Sequence, residues 1–232
     1  MYGGACRGTS KPLSDSQVIP RTWRRTLRRW WYTLVDAPRA LGRPQTIGEW
    51  DAQYHAGGWT GLESGAQVAH YAAIVGYVQH LYPEGASVVD VGCGHGVLFR
   101  QLRWLPLRSY VGFDLSATAI AQAAPLVDER ARFEVGNFET WSAHERPDVI
   151  IFNESIAYTR RPLAVLERYV GMLAEGGCFI VSTTMNSMNR VITRRIRRRF
   201  GAAHTTRVEN EHGERWEINV LGPSRALALR RS

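Results

Sequence analysis

At 232 residues, 44% of them apolar and 10% aromatic, the chain has the material for one sizeable core with an extension, which excludes disorder throughout. No stretch approaches the roughly 20 uninterrupted apolar residues of a membrane-spanning helix, and Met1 to Gln17 holds no apolar run of signal-peptide length, so a cytoplasmic protein is expected. The formal charge of +8 is concentrated: residues 1–43 hold nine basic and two acidic side chains and Arg190 to Arg199 adds six arginines, so the basicity belongs to two appendages and is no argument for nucleic acid.

Residues 1–20 lack periodicity and read as a tail. From Thr22, Trp23, Leu27, Trp30, Trp31 and Leu34 recur at helical spacing with Arg24, Arg25, Arg28 and Arg29 between them, which predicts a basic amphipathic helix over 22–34. Pro38 and Pro44 mark a linker, so residues 1–45 form an extension ahead of one domain over 46–232. Glu49-Trp50-Asp51-x-x-Tyr54-His55-x-x-Gly-Trp59 is an aromatic segment before the core.

Leu62 to Leu81 reads as a helix stopped by Tyr82-Pro-Glu-Gly85. Ser87 to Val91 is a strand running into glycines, Val97 to Leu105 a helix, Tyr110 to Phe113 a strand closed by Asp114, and Ser116 caps a helix through Ala124. Arg132 to Val135, Val149 to Phe152 and Phe179 to Ser182 are further strands, with a helix over Leu163 to Leu173. Met188 to Phe200 is a second basic helix, with Met188, Val191, Ile192, Ile196 and Phe200 on one side. Ala203 to Val208 and Glu214 to Leu221, joined at Asn210 to Gly213, have no room for a crossover and must pair antiparallel. Short apolar strands alternating with helices give an α/β fold: a doubly wound, mostly parallel seven-stranded sheet with a final antiparallel pair and an N-terminal helical extension.

In such a sheet ligands sit beyond the carboxyl ends of the strands where winding reverses. Asp90-Val-Gly92-Cys93-Gly94-His95-Gly96 lies at the end of the first strand, where glycine lets the backbone approach a ligand closely. A dinucleotide turn needs a third glycine where Val97 stands, and the spacing instead matches Asp/Glu-x-Gly-x-Gly-x-Gly. Asp114-Leu115 ends the second strand, where the carboxylate either accepts from ribose hydroxyls or caps a helix. Asn137-Phe138 follows the third, placed to bond an exocyclic amine and pack on a purine, or to serve as ordinary turn and core. Cys93 between two glycines reads as a packing choice over a nucleophile, and Cys6, Cys93 and Cys178 are too scattered for a disulfide framework or a metal site.

This ordered set of strand-end motifs, from about Leu62 to Leu221, resembles the Rossmann-like class I S-adenosylmethionine-dependent methyltransferases. The resemblance implies S-adenosylmethionine held by Asp90, Gly92, Cys93, Gly94, Asp114, Leu115, Asn137, Phe138 and Asn153, with the aromatic segment, Tyr54 above all, over the cofactor. Asn153-Glu154-Ser-Ile-Ala-Tyr158 is similar to the Asn-Glu-x-x-x-Tyr segment of small bacterial enzymes near the nodulation N-methyltransferase, polysaccharide and natural-product group. Glu154 and His95 are the side chains expected to take or orient an acceptor proton. The expected acceptor is an oxygen or nitrogen of a small-molecule, saccharide or lipid-linked compound. An RNA-directed enzyme and a non-catalytic scaffold on the same fold are the alternatives; the fourth strand lacks the Asn/Asp-Pro-Pro-aromatic motif of base-amine methylation. The helices at 22–34 and 188–200 either lie on an anionic inner membrane face or hold an anionic substrate, or the second is a crossover helix with a solvated basic face.

Overall fold

The computed structural model describes residues 39–222, so the amphipathic helix expected over 22–34 lies outside the described residues. Its strands are β1 (Ala86–Val91), β2 (Leu107–Asp114), β3 (Ala131–Val135), β4 (Val149–Asn153), β5 (Cys178–Thr184), β6 (His204–Glu209) and β7 (Arg215–Leu221). They form one sheet in the order β3-β2-β1-β4-β5-β7-β6, parallel except where β7 runs against both β5 and β6. The helices are α1 (Ile47–His55), α2 (Val68–Leu81), α3 (Val97–Leu102), α4 (Ala117–Ala123), α5 (Pro162–Val170) and α6 (Ser187–Phe200).

The near-continuous apolar strands are buried on both faces, as a parallel sheet requires. Val89, Val91, Ile150, Phe152, Phe179 and Val181 meet Leu166 and Tyr169 of α5 and Ile192, Ile196 and Phe200 of α6. Their alternating neighbours Val88, Val149, Ile151 and Ile180 meet Tyr71, Ile74 and Val78 of α2 and Leu98, Phe99 and Leu102 of α3 on the other face. The apolar side of α6 is therefore spent on the sheet, in agreement with the crossover reading.

Two segments differ from expectation. Leu62 to Leu81 is not one helix: 3-10 turns at Thr60–Glu63 and Gly65–Gln67 precede α2, because Ser64 adopts an extended backbone between them. The segment between Pro38 and Pro44 is docked. Ala40 is buried, Gly42 N–H donates to the Arg160 carbonyl and Arg43 N–H to that of Ala157. A Cβ on Gly42 would lie 1.8 Å from the Thr159 carbonyl oxygen, so only glycine permits that approach.

Ser116 joins two elements. Its hydroxyl accepts from Ala119 N–H at 3.1 Å as the N-cap of α4 and donates to Asp51 Oδ1 of α1 at 2.5 Å. Thr118 N–H donates to the same oxygen, and these bonds hold the Asp51 carboxyl below the usual carboxylate range. Ser116→Ala is expected to lower stability by about 1 kcal/mol, read as a lower urea midpoint with an unchanged slope.

Candidate active site

Winding reverses between β1 and β4, and the cavity opens beyond their carboxyl ends. It has a volume of about 420 Å³, and Asp90, Gly92, Cys93, Gly94, His95, Asp114, Leu115, Asn137, Phe138, Asn153, Glu154 and Tyr54 all line it. The structure thus brings together every residue singled out as a site residue from the sequence.

The turn after β1 holds Gly92, Gly94 and Gly96 at φ of 76°, 56° and 82°. A Cβ on Gly94 would stand 2.6 Å from the Tyr54 hydroxyl, so α1 lies close over the turn. Gly94 N–H donates to Asp114 Oδ2 at 3.0 Å and Ser116 N–H to Oδ1 at 2.9 Å. Because Ser116 supplies the α4 cap, Asp114 is not needed as one. Burial pushes its pKa upward against the backbone N–H groups of Ser116, Gly94 and Leu115.

Asp90 accepts from the Tyr110 hydroxyl at 2.7 Å through Oδ2, while Oδ1 is buried without a partner, and burial raises its pKa to about 7. The Asn153 Oδ1 and Ser155 Oγ are likewise buried and unpartnered. Asn137 is exposed at the rim, and its Oδ1 accepts from Glu139 N–H at 2.8 Å. Burial also raises the Cys93 thiol well above its ordinary range, which supports packing over nucleophilic chemistry.

Glu154 adopts a left-handed backbone, φ 57°, unusual for a residue with a side chain. Its carboxylate accepts from Thr184 N–H at 3.0 Å, from the Thr184 hydroxyl and from the Ser182 hydroxyl at 3.4 Å, all at the end of β5. Its oxygens are thus tied to β5, and burial raises its pKa.

His95 pairs through Nε2 with Glu63 at 3.3 Å, Glu63 also meets Arg100 at 3.1 Å, and Nδ1 is left without a partner. Burial lowers the His95 pKa, so the ring is neutral at neutral pH. Glu63 escaped sequence reading because it was counted within a helix. The aromatic segment expected before the core gathers with Tyr158: Trp50 lies 5.7 Å from Trp59 and 4.8 Å edge-on from Tyr158, and Tyr54 lies 6.0 Å from Trp59. All four rings line the cavity.

A family model described as a methyltransferase domain matches residues 68–221. The chain belongs to the methyltransferase-domain family. Over 106 residues it is 32% identical to the trans-aconitate 2-methyltransferase of Variovorax paradoxus, a match covering 45% of this chain and 40% of that protein. Over 145 residues it is 30% identical to the indolepyruvate C-methyltransferase of Streptomyces griseus, covering 57% of this chain and 44% of that one. The chain thus spans less than half the length of either relative. The solved N-methyltransferase NodS from Bradyrhizobium japonicum, in complex with S-adenosyl-L-homocysteine, shares the fold with a TM-score of 0.55 at 13% identity, over 70% of this chain and 90% of that one. The cofactor of this methyltransferase fold is S-adenosylmethionine.

Gly94→Ala tests the close approach of α1. A left-handed alanine costs about 1–2 kcal/mol and its methyl displaces the Tyr54 hydroxyl, so both melting temperature and S-adenosyl-L-homocysteine affinity by calorimetry should fall together. A variant of unchanged affinity would mean that the turn and Tyr54 do not bound the binding space.

Proposed function

We propose that the chain transfers the methyl group of S-adenosylmethionine to an oxygen or nitrogen of a small-molecule acceptor that is uncharged or basic at its reacting end. The observation that carries this reading is the convergence of the glycine turn, Asp114 and Glu154 on one cavity under an aromatic cover. Among the described residues the lining holds five acidic side chains (Asp90, Asp114, Glu139, Glu154 and Glu214) and one guanidinium, that of Arg160, which suits a cationic cofactor and disfavours a tricarboxylate such as the relative's trans-aconitate.

When bound, the cofactor supplies a methyl group on a sulfonium whose positive charge disappears in the transfer. The protein's task is then alignment and exclusion of water. In this reading the backbone at Gly92–Gly94 approaches the methionine end, and Asp114 receives the ribose hydroxyls. The free Asp90 oxygen and the carboxamide of Asn153 face polar groups of the cofactor. Leu115 and Phe138 flank the purine with Asn137 at its edge. Trp50, Tyr54 and Trp59 cover the sulfonium, an attraction worth about 0.5–2 kcal/mol. Glu154 orients the acceptor and takes its proton where it has one to lose; a carboxyl with a raised pKa is the better base. His95, neutral and steadied by Glu63, is the second candidate for that proton.

Mass spectrometry of a metabolite pool incubated with S-adenosylmethionine, with and without the protein, should find a species that gains one methyl group. Asp114→Ala should weaken S-adenosyl-L-homocysteine binding by roughly tenfold to a hundredfold. Glu154→Gln should slow turnover by about a hundredfold or more with cofactor affinity retained; unchanged turnover would leave Glu154 as a brace for β5. Absence of any cofactor binding to the wild-type chain would sink the proposal.

Asp90 gives a pH dependence. A cation beside it favours the ionised carboxylate, so binding expels a proton below the free pKa of about 7. Affinity for S-adenosylmethionine should therefore rise from about pH 5.5 to about pH 7 and level above it, and Asp90→Asn should remove that slope. A flat profile in the wild type would separate Asp90 from the cofactor's charge.

A further inference from the structure

A cleft of about 760 Å³ lies between α6, the end of β5 and the paired residues Arg207 of β6 and Glu217 of β7. Arg190, Arg194, Arg197 and Arg198 line it from one side of α6, opposite the face that Ile192, Ile196 and Phe200 bury in the core, and Arg207 lines it from β6. Glu217, only 6% exposed, meets Arg207 at 2.9 Å and Arg197 at 3.4 Å and fixes those two guanidiniums across the cleft. Among the described residues, Arg190, Arg194 and Arg198 have no acidic partner and are exposed. Thr183 and Thr193, whose hydroxyls are 3.0 Å apart and buried, give the cleft a polar floor.

Five guanidiniums face one carboxylate. Like charges one turn apart on a helix repel, and a ligand with several anionic oxygens offsets that repulsion by taking the fork-shaped donors in pairs. The concavity suits a compact anion over a flat bilayer, and the buried apolar side of α6 leaves no wedge for lipid. The cleft also adjoins the cavity: Thr184 lines both, and its amide and hydroxyl hold the Glu154 carboxylate.

We propose that this cleft binds the phosphate-bearing end of the acceptor, whose uncharged or basic reacting end enters the acidic cavity on the other side of Thr184. The assignment of the phosphate to the acceptor rests on the proposed function; the anion site does not.

The test is calorimetric titration of the full chain with inorganic pyrophosphate at low salt, alongside S-adenosyl-L-homocysteine. Saturable uptake that weakens as salt rises is expected. Arg194→Glu with Arg198→Glu should weaken it at least about tenfold while S-adenosyl-L-homocysteine affinity and the melting temperature hold. Arg103→Glu with Arg132→Glu, an equal charge reversal on exposed arginines away from the cleft, should leave pyrophosphate uptake unchanged. The proposal is overturned by no saturable uptake, by equal loss in the two double variants, or by retention on anionic vesicles or tRNA without pyrophosphate uptake. A chain that takes up pyrophosphate and not S-adenosyl-L-homocysteine would sink the proposed function and leave the anion site standing.

Discussion

The turn that follows β1 has no ladder of its own and is held by the end of β2. Gly92 and Cys93 both donate their N–H groups to the Phe113 carbonyl, at 2.8 and 3.0 Å, and Gly94 donates to the Asp114 carboxylate. Turn and carboxylate are thus one unit, fixed by the parallel pairing of β1 with β2. The rest of the cavity is arranged around it. Ser116, bonded through its N–H to Asp114, caps α4 and reaches Asp51 of α1, and α1 carries Tyr54 back over Gly94. Ser116 ties the cover to the floor, its N–H bonded to Asp114 and its hydroxyl to Asp51.

The strands and the glycine turn were legible because each rests on local chemistry: apolar runs bounded by turn residues, and backbone conformations that only glycine adopts cheaply. The antiparallel pair at the end was legible from length alone, since no crossover fits between Val208 and Glu214. What depends on distant neighbours was not. The Glu63–His95 pair joins a 3-10 turn to the glycine turn, and no spacing in the sequence encodes it. The periodicity of Leu62 to Leu81 concealed the break at Ser64, where the extended backbone lets the chain turn before α2 begins. The docking of Ala40 and Gly42 against the loop after β4 was hidden behind prolines that read as linker punctuation.

Charge is divided along the same lines. The body that builds the cavity is acidic, while the arginines of α6 gather where its sequence spacing puts them, on the side away from the sheet. Thr184 lines both regions, and Glu217 is the counter-charge within the basic one. It sits on β7 nearly buried, and a buried carboxylate without a partner would carry a large desolvation cost. Arg197 and Arg207 offset that cost and are in turn prevented from folding back on the surface. A strand residue therefore shapes the basic cleft, although the helix supplies most of its charge.

Glu154 shows the same economy under strain. A left-handed backbone at a residue with a side chain costs on the order of 1–3 kcal/mol, and glycine would remove that cost. Hydrogen bonds to a charged group contribute about 1.5–3 kcal/mol each, and the Thr184 amide and hydroxyl both donate to this carboxylate. Two such bonds oppose both the backbone penalty and the cost of burying the carboxylate, which still raises its pKa. The geometry that results leaves Glu154 on the cavity wall with its oxygens fixed relative to β5. The left-handed backbone at the end of β4 turns this carboxylate toward the end of β5, where Ser182 and Thr184 hold it.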